Sequence, residues 1–108
     1  MNILMIDTSG PACGVAIMAD GRLVYEAELT HRQTHSQRVM PMVDTALQMS
    51  DMTAADMDVF GAVVGPGSFT GVRIGVSTVK ALAHAANKPC VAVDALEALA
   101  ANVTAFDG

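Results

Sequence analysis

A near-continuous apolar run, Val59 to Val64, leads into Gly65-Pro66-Gly67-Ser68-Phe69-Thr70-Gly71-Val72-Arg73-Ile74-Gly75 and then into a long helical pattern rich in small residues. A strand without polar alternation is buried on both faces, and such strands belong to sheets that carry helices. Glycines and a proline directly after it suit a tight exit from the strand, and the N–H groups at the start of the next helix can face an anion. The spacing nevertheless excludes two nucleotide fingerprints. Counted from Gly65, the places of the P-loop's second glycine, its Lys and its Ser or Thr hold Thr70, Gly71 and Val72. The dinucleotide fingerprint fails because Thr70 stands where its third glycine belongs. A structural turn for close helix-to-strand packing and a phosphate-facing loop built on Gly65, Gly67, Ser68 and Thr70 both stay open.

The rest of the chain supplies the sheet and helices around this loop. Asn2 to Thr8 is a second continuous apolar run, closed by Asp7. Ala12 to Met18 follows as a strand, and Asp20-Gly21 turns it into a third, Leu23 to Leu29. There Leu23, Tyr25, Ala27 and Leu29 alternate with Val24, Glu26 and Glu28, which predicts one buried and one wet face. From Ser36 to Met49 the apolar period changes to that of an amphipathic helix, with Pro41 inside it predicting a kink or a loosened first turn. Thr53 and Asp56 stand at capping spacing within Ser50 to Met57, which predicts a one-turn helix. Val72 to Asn87 forms the second long helix, Lys88-Pro89 ends it, and Cys90 to Val93 is a fifth strand. Asp94 is positioned to cap a last helix from Ala95 towards Val103.

The expected order is thus β-β-β-α-β-α-β-α, an antiparallel meander continued by helix-connected parallel strands. That is the plan of a ribonuclease-H-like lobe of the actin-like ATPase kind, an α/β fold with a mixed five-stranded sheet. In such lobes an acidic residue and small hydroxyl residues at the end of the first strand approach phosphate and metal, and Asp7, Thr8 and Ser9 stand at that place. Fold-level analogy carries no more than that expectation.

Composition narrows the function classes. The chain has 108 residues, 52% of them hydrophobic, which suits one compact domain with a real core. Its 6 Lys and Arg against 11 Asp and Glu give a net charge of −5, which argues against autonomous nucleic-acid binding through a basic face. No apolar run has bilayer length, and the chain opens on a strand-like segment rather than a signal core, so a soluble, cytoplasmic protein without membrane contact is expected. Cys13 and Cys90 match neither a disulfide framework nor a metal-site spacing, and both are expected as reduced core thiols.

Catalytic constellations are thin. Asp7 needs further carboxylates at the same sheet edge to hold magnesium, and Asp94 is its only evident companion; capping the Ser9-Gly10 turn is the simpler role. His31 and His35 have the spacing of a helical zinc pair, but no glutamate follows the first, and surface or interface histidines are the favoured reading. Gly67-Ser68-Phe69 does not fit the nucleophile elbow Gly-x-Ser-x-Gly, and no histidine is placed to serve Ser68 as a base. The helices give a firmer signal. Gly71, Gly75, Thr78, Ala81, Ala85 and Ala86 keep the second helix low for close approach, while Met40, Met42, Val43, Leu47 and Met49 offer an adaptable apolar surface on the first. Packing inside the lobe must use part of each stripe.

Three segments together, Ile3-Leu4-Met5-Ile6-Asp7-Thr8-Ser9, His35-Ser36-Gln37-Arg38-Val39-Met40-Pro41 and Gly65 to Gly75, resemble the bacterial TsaB (YeaZ) family of tRNA threonylcarbamoyladenosine-modification proteins, formerly grouped as glycoprotease-like. The resemblance covers nearly the whole chain. It implies an N-terminal actin-like lobe over residues 1–108, with the family's second lobe absent from this chain, and a protein without a working catalytic centre or intrinsic cofactor. It also implies a scaffold that dimerises with the catalytic paralog, TsaD, which transfers a threonylcarbamoyl group to the adenosine beside the tRNA anticodon. A small ATPase, TsaE, joins them; ATP or ADP would bind only in the assembled complex, tRNA would be met only through it, and the chain alone would form a homodimer. No metal is implied for this chain, since His31 and His35 do not reproduce the metal-binding motif of the catalytic paralog. The resemblance places the partner interface on the helices starting near Ser36 and Val72, at His35, Arg38, Val39, Met42, Gly71, Gly75, Thr78, Ala81 and Leu82. The competing expectation is a metal- or serine-dependent hydrolase, a peptidase or an ATPase, using Asp7, Ser68 or the histidines.

Overall fold

The computed structural model describes residues 1–30, 35–65 and 69–93. They form β1 (Asn2–Asp7), β2 (Cys13–Ala19), β3 (Arg22–Leu29), α1 (His35–Met49), a 3₁₀ turn (Ala54–Asp56), β4 (Val59–Val63), α2 (Phe69–Ala86) and β5 (Cys90–Val93). The five strands make one mixed sheet in the order β3-β2-β1-β4-β5. β2 runs antiparallel to both its neighbours, whereas β1 pairs with β4, and β4 with β5, in parallel. This is the ribonuclease-H-like arrangement that the strand order predicts. The last expected helix, Ala95 towards Val103, and its cap Asp94 lie outside the described residues.

The two continuous apolar runs sit where their sequence requires. All five residues of β4 are buried, and so are the four inner residues of β1. One side of the sheet presents Leu4, Ile6, Val15, Ile17, Phe60 and Ala62 to Val39, Val43 and Ala46 of α1 and to Val79 and Ala83 of α2. The opposite side buries Ile3, Met5, Ala16, Met18, Val59, Val63 and Val93. Each fully buried aliphatic side chain contributes about 1.5–3 kcal/mol, so both faces are needed in a domain this small. Gly61 is the one residue of β4 without a side chain, because Met5 crosses that position and a Cβ there would meet its sulfur.

Asp20 (φ 54°) and Gly21 (φ 78°) form the β2–β3 hairpin in the left-handed conformation that a twisted two-residue turn needs. The N-terminal ammonium group lies 2.8 Å from the Asp20 carboxylate, and hydrogen bonding and charge from it hold that carboxyl below its ordinary pKa.

Three sequence expectations change. The alternation of β3 breaks at an irregularity between Ile17 and Met18, where pairing moves from Tyr25 to Leu23. The slip turns Leu23 to the side of Met18, while Tyr25, Ala27 and Leu29 face the helices, so Leu23 is 53% exposed instead of joining their face. Cys13 is a buried thiol as expected, but Cys90 is exposed at the first residue of β5, which pairs with β4 alone among the described residues. Helix α2 starts at Phe69 rather than Val72, so Thr70 and Gly71 belong to its first turn. Pro41 is accommodated within α1, which is helical from His35 to Met49. Asp56 accepts a hydrogen bond from the Thr53 N–H at 2.8 Å, the capping contact that their spacing predicts, although the helix it caps is only Ala54–Asp56.

Candidate functional site

The parallel pairing of β1 with β4 brings Asp7, Thr8 and Ser9 to the same edge of the sheet as Gly65 and the first turn of α2. In an actin-like lobe this edge faces the nucleotide. Here the hydroxyls of Thr8 and Ser9 are engaged in internal bonds. The Thr8 side chain is wholly buried, and its hydroxyl donates to the Gly71 carbonyl of α2. Asp7 Oδ1 accepts from the Ser9 N–H at 3.0 Å and from the Ser9 hydroxyl at 2.6 Å, which is the turn-capping role. Among the described residues no three His, Cys, Asp or Glu side chains converge as a metal site would require. The Asp7 charge also reaches Cys13, whose thiol is pushed up first by burial and then by that carboxylate. Gly65 is buried and Thr70 is exposed, whereas Gly67 and Ser68 lie outside the described residues.

Gly75 explains how α2 comes so close to this edge. A Cβ built there would stand 2.7 Å from Thr8 Oγ1 and 3.8 Å from both Ala62 Cβ and Ile6 Cγ2. Gly71 is buried one helical turn earlier. These two glycines therefore thin the side of α2 that packs on β1 and β4, and the close approach they permit is used inside the lobe. Val39 is likewise 2% exposed, within the core between α1 and the sheet. The buried surfaces of Gly71, Gly75 and Val39 thus pack on the protein's own sheet.

The outer surfaces are different. Met40 of α1 and Ser77, Thr78, Ala81, Leu82 and Ala85 of α2 line an open apolar groove of about 370 Å³. It continues towards the helix N-termini as a depression of about 420 Å³, bordered by Ser36, Met40, Thr70, Arg73, Ile74 and Ser77, with the edge of Val39 also reaching it. Thr78, Ala81 and Leu82 of the expected interface thus come together. The hydroxyl of Thr78 bonds back to the Ile74 carbonyl at 2.7 Å, which leaves mainly its methyl group to the groove. Arg38 and Met42 stand on the other flank of α1, against β3, with Tyr25, Ala27, Leu29 and Pro41. His35 begins α1, and its side chain lies outside the described residues. Sequence reading did not single out Arg73 and Ser77. Their signal is the helical spacing Thr70, Arg73, Ser77, Ala81, which traces one outward stripe of α2.

Among the described residues no helix is long and apolar enough to cross a membrane. A family model described as "TsaD: tRNA N6-adenosine threonylcarbamoyltransferase" matches residues 28–108. The tRNA threonylcarbamoyladenosine biosynthesis protein TsaB of Bacillus subtilis (strain 168) is 43% identical, over 100% of this chain and 47% of that protein. YeaZ from Pseudomonas aeruginosa superposes with a TM-score of 0.80 at 37% identity, over 88% of this chain and 44% of that one. A Bacteroides thetaiotaomicron protein with an actin-like ATPase fold superposes at a TM-score of 0.58 and 10% identity, over 95% of this chain and 37% of that one, and supports the fold alone. The chain spans about half the length of the curated TsaB relatives it matches.

Proposed function

The chain belongs to the family described as TsaD tRNA N6-adenosine threonylcarbamoyltransferases, and within it resembles the proteins named TsaB; from that premise we propose that it serves as a noncatalytic, partner-binding lobe in threonylcarbamoyl modification of tRNA. One contrast carries the reading. At the edge where an actin-like lobe meets phosphate, the hydroxyls of Thr8 and Ser9 are used in internal bonds, from Thr8 to Gly71 and from Ser9 to Asp7, whereas the outer faces of α1 and α2 leave an apolar groove uncovered among the described residues. A TsaD-type catalytic subunit is the proposed occupant of that groove, and a second copy of this chain occupies it when the catalytic subunit is absent. A TsaE-type ATPase joins the assembly, ATP or ADP and tRNA are engaged there rather than by the lobe alone, and the setting is the cytoplasm. Net charge agrees, since a chain at −5 has little to hold tRNA by itself.

Reconstitution tests this directly. Adding the chain to a TsaD-type subunit and a TsaE-type ATPase should raise threonylcarbamoyl transfer to tRNA, while the chain alone should turn over neither ATP nor peptide. Ala81→Glu should abolish the stimulation. Turnover by the isolated chain that disappears in Asp7→Asn or Ser68→Ala would replace this reading with a hydrolase.

A further inference from the structure

The flank of α1 turned away from α2 carries a second surface with different chemistry. Tyr25, Ala27 and Leu29 of β3 form its floor and Arg38, Pro41 and Met42 of α1 its wall, enclosing about 280 Å³. Arg38 Nε is out of reach of solvent and has no hydrogen-bond partner. Glu28 also borders the groove, yet no described carboxylate forms an ion pair with the guanidinium. Arg38 nonetheless lines the groove, and a carboxylate is the strongest complement to a guanidinium without an ion-pair partner, through two parallel bonds. The floor is an edge strand, since among the described residues β3 pairs with β2 alone. An unpaired strand edge is a template for another extended chain.

The two sides of β3 differ in charge. Tyr25, Ala27 and Leu29 share the side of Ile17, Val15 and Cys13, beneath the helices, whereas Glu26 and Glu28 share the side of Ala16 and Gly14. A second copy of this chain is therefore a poor match. Antiparallel pairing of two β3 strands brings the glutamates of each copy beside those of the other. We propose that this groove docks an extended segment of a different protein, which adds a strand to β3, presents apolar residues and one carboxylate to the Arg38 side, and presents Lys or Arg to Glu26 and Glu28. Alternation along a strand has a period of two, so one short segment satisfies both sides, and Tyr25 to Leu29 offers it roughly 14 Å of edge.

The probe is a capped peptide, Lys-Val-Lys-Glu-Lys-Val-Lys, titrated into the isotopically labelled chain and followed by amide chemical shifts and hydrogen exchange. Shifts and new protection should concentrate on β3 and the β3-facing flank of α1. A peptide of the same composition with its alternation scrambled should bind at least tenfold more weakly. Arg38→Gln in the chain and Gln for Glu in the peptide should each weaken binding about tenfold, and the two together no further, as expected of a paired charge-assisted contact. Glu28→Gln should weaken binding by a smaller factor from the other side. Retention of the native amide spectrum checks that each variant is folded, and Arg38→Lys supplies a second, more conservative replacement. Equal binding of the scrambled peptide, indifference to Arg38→Gln and Arg38→Lys, or shifts confined to the α1–α2 groove would each overturn the proposal.

Discussion

The two sides of α2 are built from similar small residues and do opposite things. On the inner side Gly71, Gly75, Val79 and Ala83 are buried against the sheet, and Gly75 leaves no room for even one methyl group beside Thr8. On the outer side Ala81 and Ala85 are exposed and Thr78 and Leu82 half-buried, and together they border an open groove with Met40 of α1. A stripe of small residues therefore has no meaning of its own. It marks close approach, and the neighbour decides whether the approach is internal or left for a partner.

Replacing Gly75 should have the largest effect. Gly75→Leu forces a branched side chain against Thr8, Ala62 and Ile6, and should destabilise the chain by about 3 kcal/mol or more, read as a lost or strongly lowered urea midpoint. Partner binding is then lost through unfolding, which would be mistaken for an interface effect without the denaturation curve. Next comes Thr8→Val. It keeps the shape but removes the buried hydroxyl bond to the Gly71 carbonyl, at a cost of about 1 kcal/mol. Because Thr8 and Gly75 touch, Thr8→Ala should offset part of the damage of Gly75→Ala, and strictly additive losses would break the picture of a shared contact.

The outer side should respond in the other way. Ala81→Glu should change stability by no more than about 0.5 kcal/mol, since the position is exposed, while weakening binding to a TsaD-type subunit by at least about tenfold. A stability loss like that of Gly75→Leu would mean that the outer face is also part of the core. Unchanged binding would move the interface off this groove.

How far the sequence foretold this depends on which physical signal was involved. Strand identity was legible in β1 and β4 because burial on both faces forbids polar residues, and the Asp20-Gly21 turn was legible because only a left-handed pair suits it. The register of β3 was not. A single irregularity opposite Met18 turns Leu23 over, and nothing in the alternation of Leu23, Tyr25, Ala27 and Leu29 announces it. The site divides in the same manner. Asp7 as a cap for Ser9 follows from short-range geometry and could be read locally. The inward aim of Gly75 depends on Thr8, 67 positions away in the chain, a pairing made only when β1 and β4 lie side by side. Arg38 and Met42 belong to α1 as expected, but the packing of α1 on β2 and β3 turns them away from α2, and helical periodicity alone gives no compass for that choice.

The inner side also holds Cys13, and it supplies the smallest test. Its thiol is raised above the ordinary value by burial and by the nearby Asp7 carboxylate, so the folded chain keeps the proton where the unfolded chain releases it. Stability from this group is complete below the ordinary thiol pKa, near pH 9, and declines as pH rises from there towards the raised folded value. The slope for one proton cannot exceed about 1.4 kcal/mol per pH unit. Denaturation midpoints between pH 8 and pH 10.5 should therefore fall more steeply for the native sequence than for Cys13→Ala, and Asp7→Asn should reduce the difference only in part, because burial is the larger cause. Alkylation gives the same comparison directly. Exposed Cys90 should react in the folded chain, while Cys13 should stay protected in Ala81→Glu and become reactive in Gly75→Leu. Protection of Cys13 in both variants would mean that α2 can be displaced without opening the layer between α1 and the sheet, and the inner and outer sides of α2 would then be less tightly coupled to the core than the Thr8–Gly75 contact requires.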